Sequence, residues 1–139
     1  TIANGIFNTD PKISATGDSS NVNLMLAGKG VGSVEIAKAA YSSSTITANG
    51  AASTGHTFII GNKGSALAVS LAAGTTIGEH KIFSNKGAGT MTVTPSPFAN
   101  GTSFALVQNR SAECIWDGTN WFLLGFGMRD SSAGGITIS

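Results

Sequence analysis

The side chains able to do chemistry in this sequence are few and scattered. His56 and His80 are its two histidines, and neither has a cysteine or a cluster of carboxylates at the spacing a metal site needs. His80 stands between Glu79 and Lys81 at the start of an apolar run, which reads as a surface or interface position on a strand. A nucleophilic site would require a serine or cysteine held by a base and an oriented third group. Serine is plentiful here, so its presence selects nothing. Seven Asp and Glu are spread over 139 residues and form no obvious pair for acid–base work. Gly28-Lys29-Gly30-Val31-Gly32-Ser33 has the look of a phosphate loop, but the Walker spacing is missing and no helix follows to aim N–H groups at a phosphate. Trp116 and Trp121 could stack on a sugar, although core or interface packing is the commoner use of such residues. Cys114, the single cysteine, lies in a strand-like run and reads as a buried structural thiol. The expectation is a protein that is not an enzyme and that holds no metal and no cofactor.

Composition points away from a free-standing catalyst and toward assembly. Charged residues make up 11% of the chain and aromatic residues 7%, while 41% is hydrophobic. The surface must then be largely Ser, Thr, Asn, Ala and Gly, which lose little rotamer entropy and desolvate little charge when another chain covers them. A net charge of +1, with no run of like charges, gives nucleic acid no electrostatic footprint. No stretch approaches the roughly 20 apolar residues of a membrane span, and the opening lacks the pattern of a secretory signal. The chain opens on Thr1 without Met, which reads as a processed or truncated start. Its length predicts one domain.

The elements that must position these residues are strands. Apolar positions alternate in short runs, glycine is frequent and proline scarce. Residues 1–37 read as an extended arm, with a brief strand at Lys12–Thr16, followed by a hairpin. In that hairpin Val22, Leu24 and Leu26 alternate on one strand, and Val34 and Ile36 on the other. Such a ribbon is marginal alone and must lie on something else. Residues 38–50 read as a linker with a short strand at Ser44–Ala48. Residues 51–127 read as the body, with strands at 57–61, 66–71, 79–84, 90–94, 103–107, 112–117 and 121–126. Residues 128–139 read as a Gly/Ser-rich tail with one strand at 136–138. Gly28-Lys29-Gly30-Val31-Gly32, Asn62-Lys63-Gly64-Ser65-Ala66 and Asn85-Lys86-Gly87-Ala88-Gly89 form a weak repeat, read as three hairpin turns rather than a solenoid. Asp117-Gly118 between Trp116 and Trp121 predicts a further hairpin in which the two Trp pair across the ladder. The predicted fold is all-β: arm and hairpin, then an antiparallel sandwich or jelly-roll-like barrel. Because Trp121 to Phe126 is apolar on both faces, one face is expected to meet another subunit. The expected interface is Trp116, Trp121, Phe122, Leu124 and Phe126.

The run from Ile13 to Leu26, followed by Lys29 to Ile36, resembles a segment near the start of bacteriophage fibre and head-decoration proteins. Thr92-Val93-Thr94-Pro95, Phe98-Ala99-Asn100-Gly101-Thr102 and Cys114-Ile115-Trp116-Asp117-Gly118-Thr119-Asn120-Trp121 resemble the β-structured module of the same kind of protein among marine tailed phages. The resemblance implies a homotrimeric virion protein, on the capsid surface as a decoration protein or head fibre. Its partners would be copies of itself and the major capsid protein or another virion protein. Residues 1–37 would attach to the particle, through Val22, Leu24, Leu26, Val34 and Ile36, and residues 51–127 would form the projecting body. The alternative is a tail fibre or receptor-binding module that recognises host surface glycans. Neither reading calls for nucleic acid or membrane.

Overall fold

A computed structural model describes residues 13–19, 22–124 and a strand at 137–138. Its chain divides into two units, Thr1–Ala39 and Ala40–Ser139, where the length alone predicts one. In the first unit the expected hairpin forms only its turn: Gly32 N–H donates to Lys29 C=O at 3.0 Å, and Gly30 takes a positive φ of 64°. No strand forms among the described residues before Ser43, which corrects both the hairpin ladder and the brief strand expected near residue 13. Among the described residues of this unit nothing covers the one apolar row of such a ribbon. Val22, Leu24, Leu26, Val34 and Ile36 are all exposed.

The second unit is all-β among its described residues. Its strands are β1 (Ser43–Ile46), β2 (Gly50–Ala51), β3 (Phe58–Gly61), β4 (Leu67–Leu71), β5 (His80–Asn85), β6 (Met91–Pro95), β7 (Phe104–Leu106), β8 (Arg110–Trp116), β9 (Trp121–Leu123) and β10 (Thr137–Ile138). The stretch read as a linker thus holds β1 and the start of β2. A first sheet has the order β1-β3-β5-β8-β9 and a second the order β10-β7-β6-β4-β2. Each keeps two edge strands, so neither sheet is closed into a barrel.

The predicted antiparallel arrangement is corrected. β1, β3 and β5 run parallel, as do β2, β4 and β6; only the pairings that involve β7, β8, β9 and β10 are antiparallel. The chain alternates between sheets, so β1/β2, β3/β4 and β5/β6 are successive rungs of a stack. Two of the glycine-rich repeats, read as hairpin turns, are instead the corners that carry the chain from one sheet to the other. They lie directly over one another: Lys86 N–H donates to Gly61 C=O at 2.8 Å, and Gly89 N–H to Lys63 C=O at 3.1 Å. Asn85 makes the corner possible. Its buried side chain donates to Gly89 C=O and Leu106 C=O, both at 2.8 Å, and accepts from Gly87 N–H at 3.1 Å. The amide satisfies backbone groups that a hairpin would have paired in a ladder.

Both sheets bury alternate residues in one shared core. Ile59, Phe83, Cys114 and Trp121 come from the first sheet, Leu67, Val93, Phe104 and Leu106 from the second. Phe83 and Phe104 meet edge to face across the sheets, with ring centroids 5.9 Å apart. Each such burial contributes roughly 1.5–3 kcal/mol.

The β8–β9 hairpin forms as predicted, with Trp116 opposite Trp121 and ring centroids 5.4 Å apart. Gly118 takes φ 103°, and Asp117 Oδ1 accepts from Asn120 N–H at 2.6 Å and Thr119 N–H at 2.7 Å. These two N–H groups, Asn120 first, hold the Asp117 carboxyl below its usual value. A depressed folded-state pKa adds stability above the unfolded value, and that contribution is lost as pH falls through the folded one. In an acid titration followed by Trp fluorescence, Asp117→Ala is expected to lose this acid-sensitive component.

Candidate functional site

The outward faces of the two sheets differ. On the second sheet, Ser70 stands beside Thr94 and Ala68 beside Thr92, with Ala105 next in the row. This face is small and hydroxylated. On the first sheet, Phe58 stands beside Ile82, which faces Glu113, and Leu124 adjoins through its N–H to Glu113 C=O at 2.8 Å. The next row is His80, Ile115 and Phe122, and Ile60 lies in a third, opposite Ser84. Phe58, Ile60, Ile82 and Ile115 are half-buried, while Phe122 and Leu124 are 39% and 38% exposed. Large apolar side chains are concentrated in the first two rows, while Ile60 stands in the third among Thr45, Ser84 and Ser111.

Two polar pairs lie on this face: Ser111 Oγ donates to Ser84 Oγ at 2.9 Å, and His80 meets Glu113. His80 Nδ1 and Glu113 Oε1 are 2.5 Å apart, diagonal neighbours on adjacent antiparallel strands. A paired charge is tolerated when a partner covers it, whereas an unpaired one is not.

Of the expected interface residues, Phe122 and Leu124 lie on this face, and Phe126 lies outside the described residues. Trp116 and Trp121 do not reach it. They are 6% and 0% exposed, and Trp121 Nε1–H donates to Ala72 C=O at 2.8 Å, so both belong to the chain's own core. Phe58, Ile60, Ile82 and Ile115 were not anticipated. The signal was available: Phe58-Ile59-Ile60 and Ile82-Phe83 are apolar at consecutive positions, the same pattern that marked Phe122 and Leu124.

The interior holds a second polar arrangement. Lys81, 3% exposed, donates from Nζ to the carbonyls of His56, Thr54 and Ser53 at 2.6, 2.9 and 3.1 Å. Burial lowers its pKa, and the Glu79 carboxylate 3.8 Å away raises it again. Glu79 in turn accepts from Thr75 N–H at 2.8 Å. These groups line a cavity of about 50 Å³ together with Thr54 and Trp121, which is room for water rather than for a substrate. Ser53 Oγ and His56 Nδ1 share a hydrogen bond of 2.7 Å, three positions apart in the loop that Lys81 holds. No carboxylate pairs with His56 among the described residues, so the oriented third group of a nucleophilic site is not assembled there. Cys114 is buried, and burial, aided by Glu113, pushes its thiol pKa up to about 12, the opposite of an activated cysteine. No group of three His, Cys, Asp or Glu able to hold a metal occurs among the described residues.

Comparison with protein-family models, with curated proteins and with solved structures finds no match.

Proposed function

We propose that this chain is a structural virion protein, a homotrimeric capsid decoration protein or head fibre, and not an enzyme. Its subunits meet through the outer face of the first sheet. The observation that carries the reading is the contrast between faces: Phe58, Ile60, Ile82, Ile115, Phe122 and Leu124 crowd one, and Ser, Thr and Ala cover the other. A contiguous apolar sheet face is costly to leave in water and effective at holding a neighbour. The body around it is a two-layer sandwich in which chemistry-bearing groups are used for packing. Burial of Trp116 and Trp121 takes the tryptophan pair away from sugar binding, which weighs against the glycan-recognising tail module.

Light scattering tests the assembly. The full chain is expected at the mass of a trimer, and Phe122→Asp below that mass with its melting temperature little changed. A charge placed in a covered apolar face costs about 2 kcal/mol or more, whereas an exposed position tolerates it within the isolated fold. A wild-type chain that stays monomeric at every concentration refutes the assembly. Antibody-gold labelling of particles tests the location: label over the heads supports decoration, and label confined to the tail overturns it.

A further inference from the structure

The arm carries the sequence of a rung. Leu26-Ala27-Gly28-Lys29-Gly30-Val31-Gly32-Ser33-Val34-Glu35-Ile36 aligns without a gap on Phe83-Ser84-Asn85-Lys86-Gly87-Ala88-Gly89-Thr90-Met91-Thr92-Val93. The Lys-Gly-x-Gly corner, the hydroxyl after it and the apolar positions on either side coincide; Gly28 stands where the rung has Asn85, so the arm's corner lacks that amide. In the β5/β6 rung Phe83, Met91 and Val93 are all 0% exposed, while their counterparts Leu26, Val34 and Ile36 are 60%, 46% and 66% exposed. The glycines tell the same story. A side chain at Gly87 would enter the backbone of Lys63, and one at Gly89 the backbone of Ser65, in the neighbouring rung. Gly30 keeps glycine at the position of Gly87, with nothing within 4 Å of where its Cβ would stand. Its positive φ accounts for that glycine locally, but not for the match of the whole segment.

Among the described residues, the stack ends with no further strand beside β1 and β2. β1 and β2 are edge strands at the same end. Phe58 N–H bonds to Ser42 C=O at 3.1 Å and Asn62 N–H to Ile46 C=O at 2.9 Å, so residues of that parity face β3. In a parallel ladder Ser43 and Thr45 then turn their N–H and C=O outward. Ala52 N–H bonds to Ser70 C=O at 2.8 Å, which likewise turns Ala51 outward. An unpaired edge of this kind is a template for a further strand.

We infer that residues 22–36 of one copy lie as an added rung on the open β1 and β2 edges of a second copy. One sequence supplies both the exposed rung and the open edge, so copies can satisfy one another by exchange. This contact is separate from the apolar outer face and does not rest on it.

Residue-resolved amide exchange of the full chain over a dilution series tests the inference. The amides of Thr45 and Ala51 are expected to exchange at least about tenfold more slowly in concentrated than in dilute protein. Leu26→Asp should remove that slowing while Phe83 and Val93 stay protected, which shows the body still folded. Phe122→Asp should leave the slowing in place, separating this contact from the sheet face. Slow exchange that is indifferent to dilution would seat the arm on its own body, and fast exchange at every concentration would direct it to another partner such as the particle. Either result overturns the inference.

Discussion

Gly87→Ala is expected to lower stability by about 3 kcal/mol or more, while Gly64→Ala leaves it within about 0.5 kcal/mol. Both glycines stand in the Asn-Lys-Gly corners, and sequence alone makes them equivalent. They are not. A Cβ on Gly87 would run into the backbone of Lys63, whereas one on Gly64 meets nothing within 4 Å. Backbone cannot rotate away as the end of a side chain can, so the rungs would have to separate. Separation would also stretch the Gly87 N–H bond to Gly61 C=O at 3.2 Å. Neither glycine has a positive φ, so the difference is one of contact and not of torsion. Thermal melting followed by circular dichroism reads it directly, since each kcal/mol moves the midpoint by about 4–8 °C in a body of this size. Equal melting of the two variants would show that the corners are not stacked as described.

Lys81→Met is the second large effect. Methionine reproduces the length of the aliphatic stem and packs in its place, but it cannot donate to Ser53, Thr54 and His56. An unsatisfied buried carbonyl costs about 1–3 kcal/mol; with water admitted to the adjoining cavity, the expected total is about 3 kcal/mol. Lys86→Met, at an exposed position, serves as the control and should change little. Because burial lowers the Lys81 pKa, the unfolded chain holds this proton more tightly than the folded one. Between the lowered value and the ordinary lysine value, stability from this group therefore rises with pH. Denaturant melts across the alkaline range should show that rise in the wild type and not in Lys81→Met.

The strands were legible because each amphipathic run announces itself: Leu67, Val69 and Leu71 alternate with Ala68 and Ser70, and no tertiary information is needed to see it. The Asp117-Gly118 turn was equally plain, since its geometry is set by neighbours in sequence. Partner choice was another matter. A glycine-bearing turn of a few residues fits a hairpin and an inter-sheet corner alike, and what decides between them is Asn85, whose amide is buried against Gly89 and Leu106. Nothing local marks that asparagine as internal. The same holds for Lys81, which in sequence is a polar residue within the strand read at 79–84 and in space is the anchor of a loop 25 to 28 positions away. On the outer face, Phe122 and Leu124 were found by reading one strand for apolar residues on both sides. Phe58, Ile60 and Ile82 carry the same local pattern, and the strand order adds that they share one face with Ile115, Phe122 and Leu124.

The last strand of the first sheet has its outer edge occupied. Trp121 N–H donates to Pro97 C=O at 3.0 Å, Ala99 N–H to Trp121 C=O at 2.9 Å, and Leu123 N–H to the Asn100 side chain at 2.9 Å. During synthesis this segment emerges from the ribosome before the strand it clasps, and β5 waits for β8 over the same interval. A nascent chain halted short of Trp121 therefore holds a clasp with nothing to close on and a bare ribbon flank open to aggregation. Translation must pass Leu123 before that flank is protected, so termination just short of Trp121 would yield a sticky product rather than a merely shortened one.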